Sequence, residues 1–246
     1  MIRFGKRLQR SFRVIALLAM AVWLLGPTAE EAAAIPLSEL FVDTDVPQTI
    51  TAGDKLFTNW TLLSNGDNTD LSQIDVTPLN DPANNPGLRY TDTGGVLTLD
   101  TLGEEFGFSF QYTVTVLDPS QMIIGNSLEL VDFATENFAL LEVQETVQDI
   151  GQTTTIATKT VASQGQPPFE QPFDEVAFLP QQGLVVTTIF LGLIEGEGDF
   201  AQLAQLDQRF AQAEIPEPAS LGLFLAGLIG FGLLSRFSRR PRAAQG

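Results

Sequence analysis

Residues 35–213 predict an all-β fold, a single β-sandwich ectodomain flanked by an N-terminal signal peptide and a C-terminal transmembrane helix. Three observations carry this. Phe106–Val116 (FGFSFQYTVTV) alternates apolar and small or polar residues without a break. Further runs of aromatic and β-branched residues follow at short spacing, separated by glycine, proline and asparagine. Uncharged apolar stretches with basic flanks close the chain at both ends. Unbroken period two is the pattern of a sheet with one buried face, and short strands divided by turn residues favour a sandwich.

In chain order, Arg3, Lys6, Arg7, Arg10 and Arg13 precede the apolar run Val14–Leu25, and Ala32-Ala33-Ala34 follows it. A positive region, a short apolar region and an A-x-A site, here Ala32 and Ala34, are the parts of a secretory signal peptide spanning residues 1–34. An apolar run of about a dozen residues is short for a permanent span. Cleavage after Ala34 leaves Ile35 as the new N-terminus.

In the body, Lys55–Leu63 (KLFTNWTLL) predicts a strand that ends at the turn residues Ser64-Asn65-Gly66-Asp67. Leu71–Pro78 predicts a strand with Ile74 and Val76 opposite Leu71, and Gly94-Gly95 opens another over Val96–Leu99. The alternation of Phe106–Val116 puts Phe106, Phe108, Phe110, Tyr112, Val114 and Val116 on one face. Burial at about 1.5–3 kcal/mol for each such side chain makes this strand the centre of the core. Met122–Val131 follows, then Phe138–Val147 with Ala139, Leu141, Val143 and Val147 inward. Thr153–Val161 is threonine-rich and exposed on one side, and the proline-rich Gln164–Pro172 is a surface loop. Leu184–Leu193 (LVVTTIFLGL) reads as a strand buried on both faces. Phe200–Ala213 divides the signals. The apolar spacing Phe200, Leu203, Leu206 and Phe210, with its alanines and glutamines, favours a helix, whereas Phe200, Ala204, Leu206 and Phe210 share strand parity.

The last segment, residues 214–242, has three parts. Pro216-Glu217-Pro218 holds the backbone extended, because each proline fixes its own φ and disfavours helix in the residue before it. The apolar stretch 219–237 spans roughly 28 Å as a helix, close to the hydrocarbon thickness of about 30 Å. Arg236, Arg239, Arg240 and Arg242 then mark the cytoplasmic side. Gly222, Ala226 and Gly230 form a smooth stripe within the helix. A plain tail anchor shares the helix and the arginines; the Pro-Glu-Pro handle separates the two.

This order resembles the PEP-CTERM sorting signal of exported bacterial proteins. The body runs Ile50–Phe57 (ITAGDKLF), Ile74–Pro78 (IDVTP), Asn85–Leu88 (NPGL) and Asp207–Phe210 (DQRF) are similar to those of uncharacterised members of that group. The resemblance implies a β-sandwich body with a closing strand at residues 200–213. It also implies export through the Sec translocon, a transient stay in the inner membrane, and processing at the Pro-Glu-Pro motif by an exosortase. Cell-surface or extracellular placement in an exopolysaccharide matrix follows from it. The resemblance carries no known activity for the body.

Composition narrows the chemistry. The chain of 246 residues carries a formal charge of −17 and has neither cysteine nor histidine. Residues 35–215 keep four basic residues, Lys55, Arg89, Lys159 and Arg209, against 27 acidic ones, a balance of −23. Binding nucleic acid through phosphates needs clustered positive charge, which such a body lacks. Without histidine or cysteine there is no Ser-His-Asp or Cys-His nucleophile and no His/Cys zinc site. A serine–lysine pair would need Lys55 or Lys159, and both are expected to be solvated on strands. Sugar hydrolysis needs two facing carboxylates, with Glu104-Glu105 and Glu195, Glu197 and Asp199 as candidates. Calcium takes carboxylate and carbonyl oxygens, which Glu195, Glu197 and Asp199, or the Asn65–Asp70 turn, supply without EF-hand spacing. The sequence therefore assigns no catalytic residue. A structural or interaction role comes first, and a calcium- or carbohydrate-binding module is the alternative.

Overall fold

The computed structural model describes residues 33–42 and 48–215. The expected signal peptide up to Ala32, the Pro-Glu-Pro motif, the expected helix over 219–237 and the arginine cluster lie outside the described residues. No helix among the described residues is long and apolar enough to cross a membrane.

The strands all belong to the unit that starts at Ala34. They are β1 (Ile35–Pro36), β2 (Ile50–Ala52), β3 (Lys55–Asn65), β4 (Ile74–Leu79), β5 (Gly87–Asp92), β6 (Thr98–Leu99) and β7 (Glu105–Val116). After these come β8 (Gln121–Glu136), β9 (Leu140–Asp149), β10 (Thr155–Gln164), β11 (Phe169–Gln171), β12 (Phe173–Gln181), β13 (Gly183–Leu193) and β14 (Phe200–Glu214). A short helix α1 (Leu37–Leu40) follows β1. One sheet runs β1-β4-β5-β14-β8-β12, with β6 also on β14; the other runs β11-β10-β9-β13-β7-β3-β2. Every pairing is antiparallel. The fold is an all-β pair of sheets with one core between them.

That core is largely aromatic. On β7, Phe106, Phe108, Phe110, Tyr112 and Val114 are buried, as the alternation requires. Phe190 of β13 stacks on Phe108 with ring centroids 4.7 Å apart, and Trp60 lies 4.6 Å from Tyr112. Tyr90 and Phe210 face them from the other sheet. On β9, Ala139, Leu141, Val143 and Val147 point inward as predicted.

Several local readings change. Leu71 is not opposite Ile74 and Val76: a 3-10 turn at Leu71–Gln73 resets the parity, and all three are buried. Only Thr98–Leu99 pairs in the 96–99 segment. The 164–172 loop is exposed but carries the edge strand β11, which passes the chain from one sheet to the other. On β13, Leu184, Val186, Thr188 and Phe190 face the core while Leu191 is exposed, so this central strand is buried fully on one face only. Residues 200–214 form strand β14, as the resemblance implies. Its register slips between Leu203 and Leu206, so Ala201 and Leu203 face inward before the slip and Leu206 and Phe210 after it. That slip produced the helix-like spacing of its apolar residues. Lys55 and Lys159, expected in solvent, are both buried.

Aspartates pin the turns. Asp149 accepts the Thr153 and Thr154 amides at 2.7 and 2.8 Å, Asp118 accepts the Ser120 amide at 2.9 Å, and Asp70 that of Ser72 at 3.1 Å. These hydrogen bonds hold all three carboxyls below the usual 3.8. A depressed folded pKa adds stability above the unfolded value and loses it as pH falls through the folded one. Acid titration below about pH 4 is therefore expected to lower the unfolding midpoint. The drop should be smaller in an Asp70→Asn, Asp118→Asn, Asp149→Asn triple variant, read by denaturant melts at pH 7 and pH 3.

Candidate functional site

The acidic candidates from the sequence gather at one end of the sandwich, where β3 and β13 finish and β7 begins. A depression of about 260 Å³ there is lined by Asp67, Asp70, Glu104 and Glu105, with Thr69 and Thr98. The Ile194 amide donates to the Glu104 carbonyl at 3.3 Å, which brings the 195–199 loop to the same end. Asn137 joins it there, donating to the Gly198 carbonyl at 2.6 Å.

Most of these carboxylates are occupied by their own loops. Glu104 Oε2 accepts the Asp100 and Thr101 amides at 3.2 and 3.1 Å. Asp70 is held by Ser72 through its amide and, at 2.6 Å, its hydroxyl. Asp67 packs over Gly107, where an added Cβ would lie 2.8 Å from its Oδ2. Asp199 is buried, with Oδ2 accepting the Gly196 and Glu195 amides at 2.7 and 3.3 Å and Oδ1 accepting the Phe138 amide at 3.3 Å. Glu195 and Glu197 point to solvent from this turn. Glu195, Glu197 and Asp199 are thus on one loop but do not converge. Among the described residues no three acidic side chains are placed to hold a metal ion. Glu104 turns onto its own loop, and Glu195 and Glu197 are splayed outward. Phe138, beside this loop, is 62% exposed.

A second set of polar groups lies inside the sandwich. Lys159 of β10 and Glu145 of β9 are register partners, and Asn126 of β8 meets them from the opposite sheet. Lys159 Nζ donates to Glu145 Oε1 and to Asn126 Oδ1, and Asn126 Nδ2 donates to Glu145 Oε1 at 2.7 Å. Glu145 Oε2 is buried without a hydrogen-bond partner. Nearby, the hydroxyls of Tyr90 and Tyr112 both donate to Gln208 Oε1. Burial pushes both phenols well above their ordinary range, and the Glu145 charge adds to it. Lys55 meets Asp54 Oδ1 and Gln212 Oε1; burial lowers its pKa, against the pull of Asp54.

The remaining cations are paired as well. Arg89 grips Asp207 with two bonds of 2.6 and 2.8 Å, and Arg209 lies 3.4 Å from the same carboxylate. All four basic residues of the body are therefore engaged by acids, and the charge left facing solvent is anionic.

The buried trio escaped the sequence reading, yet a signal existed. Ala157-x-Lys159-x-Val161 and Val143-x-Glu145-x-Val147 each place a charge in an inward row of apolar residues. Parity alone points both side chains into the core.

No protein-family profile and no curated protein matches the chain. Among solved structures it is similar to CBM32-3 from a family 31 glycoside hydrolase from Clostridium perfringens. That alignment has 10% identity, covers 73% of this chain and 95% of the other, and has a TM-score of 0.28. It is also similar to the family 32 CBM from C. perfringens NanJ in complex with galactose (10% identity, 71% and 97% covered, TM-score 0.25). A third likeness is to a carbohydrate binding module from Cellvibrio mixtus lichenase 5A in complex with cellotriose (13% identity, 65% and 95% covered, TM-score 0.18). At these values the likenesses assign neither a ligand nor a site to this chain.

Proposed function

We propose that residues 35–215 form a non-catalytic β-sandwich body that serves outside the cell as a structural or interaction element, delivered by the signals at its two ends. One observation carries this reading. Among the described residues the strands begin at Ile35, immediately after the A-x-A site, and end at Glu214, two residues before Pro216. Removal of either terminal segment would therefore leave every described strand whole. Ile35 pairs with Val76, so a new N-terminus there would already be seated at a sheet edge. Under this reading the Sec translocon exports the chain, and the inner membrane holds the 219–237 helix transiently. An exosortase then processes the chain at Pro216-Glu217-Pro218, and the body reaches the cell surface or the exopolysaccharide matrix.

The test is surface fractionation of wild type against Glu217→Ala, with intact masses of both. Wild type is expected at the surface without the arginine-terminated helix, and the variant in the membrane fraction with it. A surface form of wild type that keeps the four arginines would overturn the delivery reading.

The exposed Phe138 ring, next to the 195–199 loop, supports a second reading, a carbohydrate-binding module, because an exposed aromatic face offers a stacking platform to a sugar ring. Retention on matrix polysaccharide that drops several-fold in Phe138→Ala would favour it. Equal retention of both proteins would count against it. Calcium is expected to leave the melting temperature unchanged, since Asp70, Glu104 and Asp199 are held by their own loops while Glu195 and Glu197 point apart into solvent. A calcium-dependent rise would restore the calcium reading.

A further inference from the structure

We infer that the sandwich forms a covalent bond between its own sheets: an amide joining Lys159 Nζ to Asn126 Cγ, made with loss of ammonia and catalysed by Glu145. This rests on the interior geometry and is independent of how the protein is exported.

The three side chains sit where such a reaction is favoured. Lys159 and Glu145 are fully buried and Asn126 nearly so. Their same-face neighbours on each strand, Ala157, Val161, Val143, Val147 and Leu128, are buried and apolar. Glu145 Oε1 accepts from Lys159 Nζ, and its other oxygen, Oε2, is buried without a hydrogen-bond partner. In the proposed reaction the first move is transfer of one Lys159 proton to Glu145, which gives the neutral amine, the nucleophilic form, and a carboxylic acid.

The contacts then match the needs of the step. Lys159 Nζ lies against Asn126 Oδ1, one bond from the carbon it would attack. Glu145 Oε1 touches both nitrogens, the one that must lose a proton and the one that must gain it. The lysine lone pair forms the new C–N bond at Cγ, and the carbonyl pair moves onto Oδ1. Glu145 relays a proton from the attacking nitrogen to Nδ2. The Cγ–Nδ2 bond breaks with its electrons on nitrogen, ammonia departs, and the carbonyl re-forms. The lysine ammonium, glutamate and carboxamide become one secondary amide, one carboxylic acid and ammonia, with atoms and charge balanced and no oxidant or co-reactant required. Reactive groups held this way gain effective concentrations on the order of 10⁵–10⁸ M, enough to make a sluggish amide exchange practical in a single irreversible turnover.

Lys55 supplies the contrast. It too meets an amide and a carboxylate, those of Gln212 and Asp54. The Gln212 nitrogen, however, donates to the Ala83 carbonyl at 3.2 Å and has no bond to Asp54. With no shared proton relay, the geometry points to one bond, at Lys159. That bond would join β8 of one sheet to β10 of the other across a separation of 33 residues, in a chain with no cysteine to form a disulfide.

The test is peptide mapping of the full chain after complete denaturation. Cleavage after glutamates is expected to release residues 106–129 and 146–170 as one branched species, lighter than their sum by one ammonia. Trypsin is expected not to cut after Lys159. Lys159→Arg should yield the two peptides separately, and Glu145→Gln should yield 106–129 apart from 143–170. Should either variant fail to fold, the wild-type map decides alone. Separate wild-type peptides at full mass would overturn the proposal. Ammonia lost at Lys55 and Gln212 instead would overturn the assignment to Lys159, and a bond that persists in Glu145→Gln would overturn the role of Glu145.

Discussion

Phe110→Ala is expected to destabilise the sandwich by about 4–5 kcal/mol, at the upper end for a buried aromatic truncated to alanine. The reason is its position among other rings. Phe110 lies within 5.8–6.4 Å, centroid to centroid, of Phe41, Trp60, Tyr90, Phe108, Tyr112 and Phe190. These neighbours come from both sheets and from the segment after α1. Each is anchored on its own strand or turn, so they cannot close together over the space a lost ring leaves. Strands that pair across a ladder move as units, and a cavity bounded by six such rings stays largely open. Phe110→Leu should cost only about 1–2 kcal/mol, because most of the volume remains. Trp60 is the sole tryptophan beyond residue 34 and lies against Tyr112 with the rings tilted by 31°. Its fluorescence therefore reports unfolding in urea without added probes. A loss below about 2 kcal/mol for Phe110→Ala would show that the core collapses around the gap and that the ring cluster is not rigid.

The strands were legible where the chain kept parity and became obscure where it did not. Phe106–Val116 and the inward row of β9 were read correctly because no bulge interrupts either face. Within β3 the parity breaks at Asn59, whose φ of 55° lets the strand skip its register against β7 between Thr58 and Thr61. Lys55 and Phe57 face inward before the break and Trp60 after it. β14 slips in the same manner near Ala204, and a period count cannot separate a slipped strand from a helix over so few residues. The acidic end was legible as composition but not as geometry. The sequence shows which residues are carboxylates, while the fold decides that Asp199 and Glu104 are turned onto backbone amides. Lys159, expected in solvent, is buried for a different reason. The general preference of charged side chains for water yields here to the parity of the strand. That preference is sound for a lone charge, and fails where two opposite charges and an amide are buried together.

The interior trio sets the second large effect. Glu145→Ala is expected to cost at least 3–5 kcal/mol, since it leaves the Lys159 ammonium in the core without its counter-charge and Asn126 without its acceptor. Lys159→Met should cost a similar amount, with the bare carboxylate now on Glu145. Each loss is mainly the cost of the abandoned partner rather than the worth of the pair, so removing the whole trio separates the two. In a Lys159→Met, Glu145→Leu, Asn126→Leu variant no polar group is stranded, and replacing a buried ion pair by packed apolar residues is often neutral or stabilising. Noncovalent contacts alone therefore predict a triple variant as stable as wild type or more so. A covalent link over 33 residues adds about 3–4 kcal/mol by restricting the unfolded chain, and the triple variant loses it. The expected result is a triple variant that recovers the part of each single loss due to the stranded partner, yet remains about 3 kcal/mol below wild type in equilibrium unfolding, because the bond is missing from the single and triple variants alike. Full recovery would place the stability of this core in its packing alone.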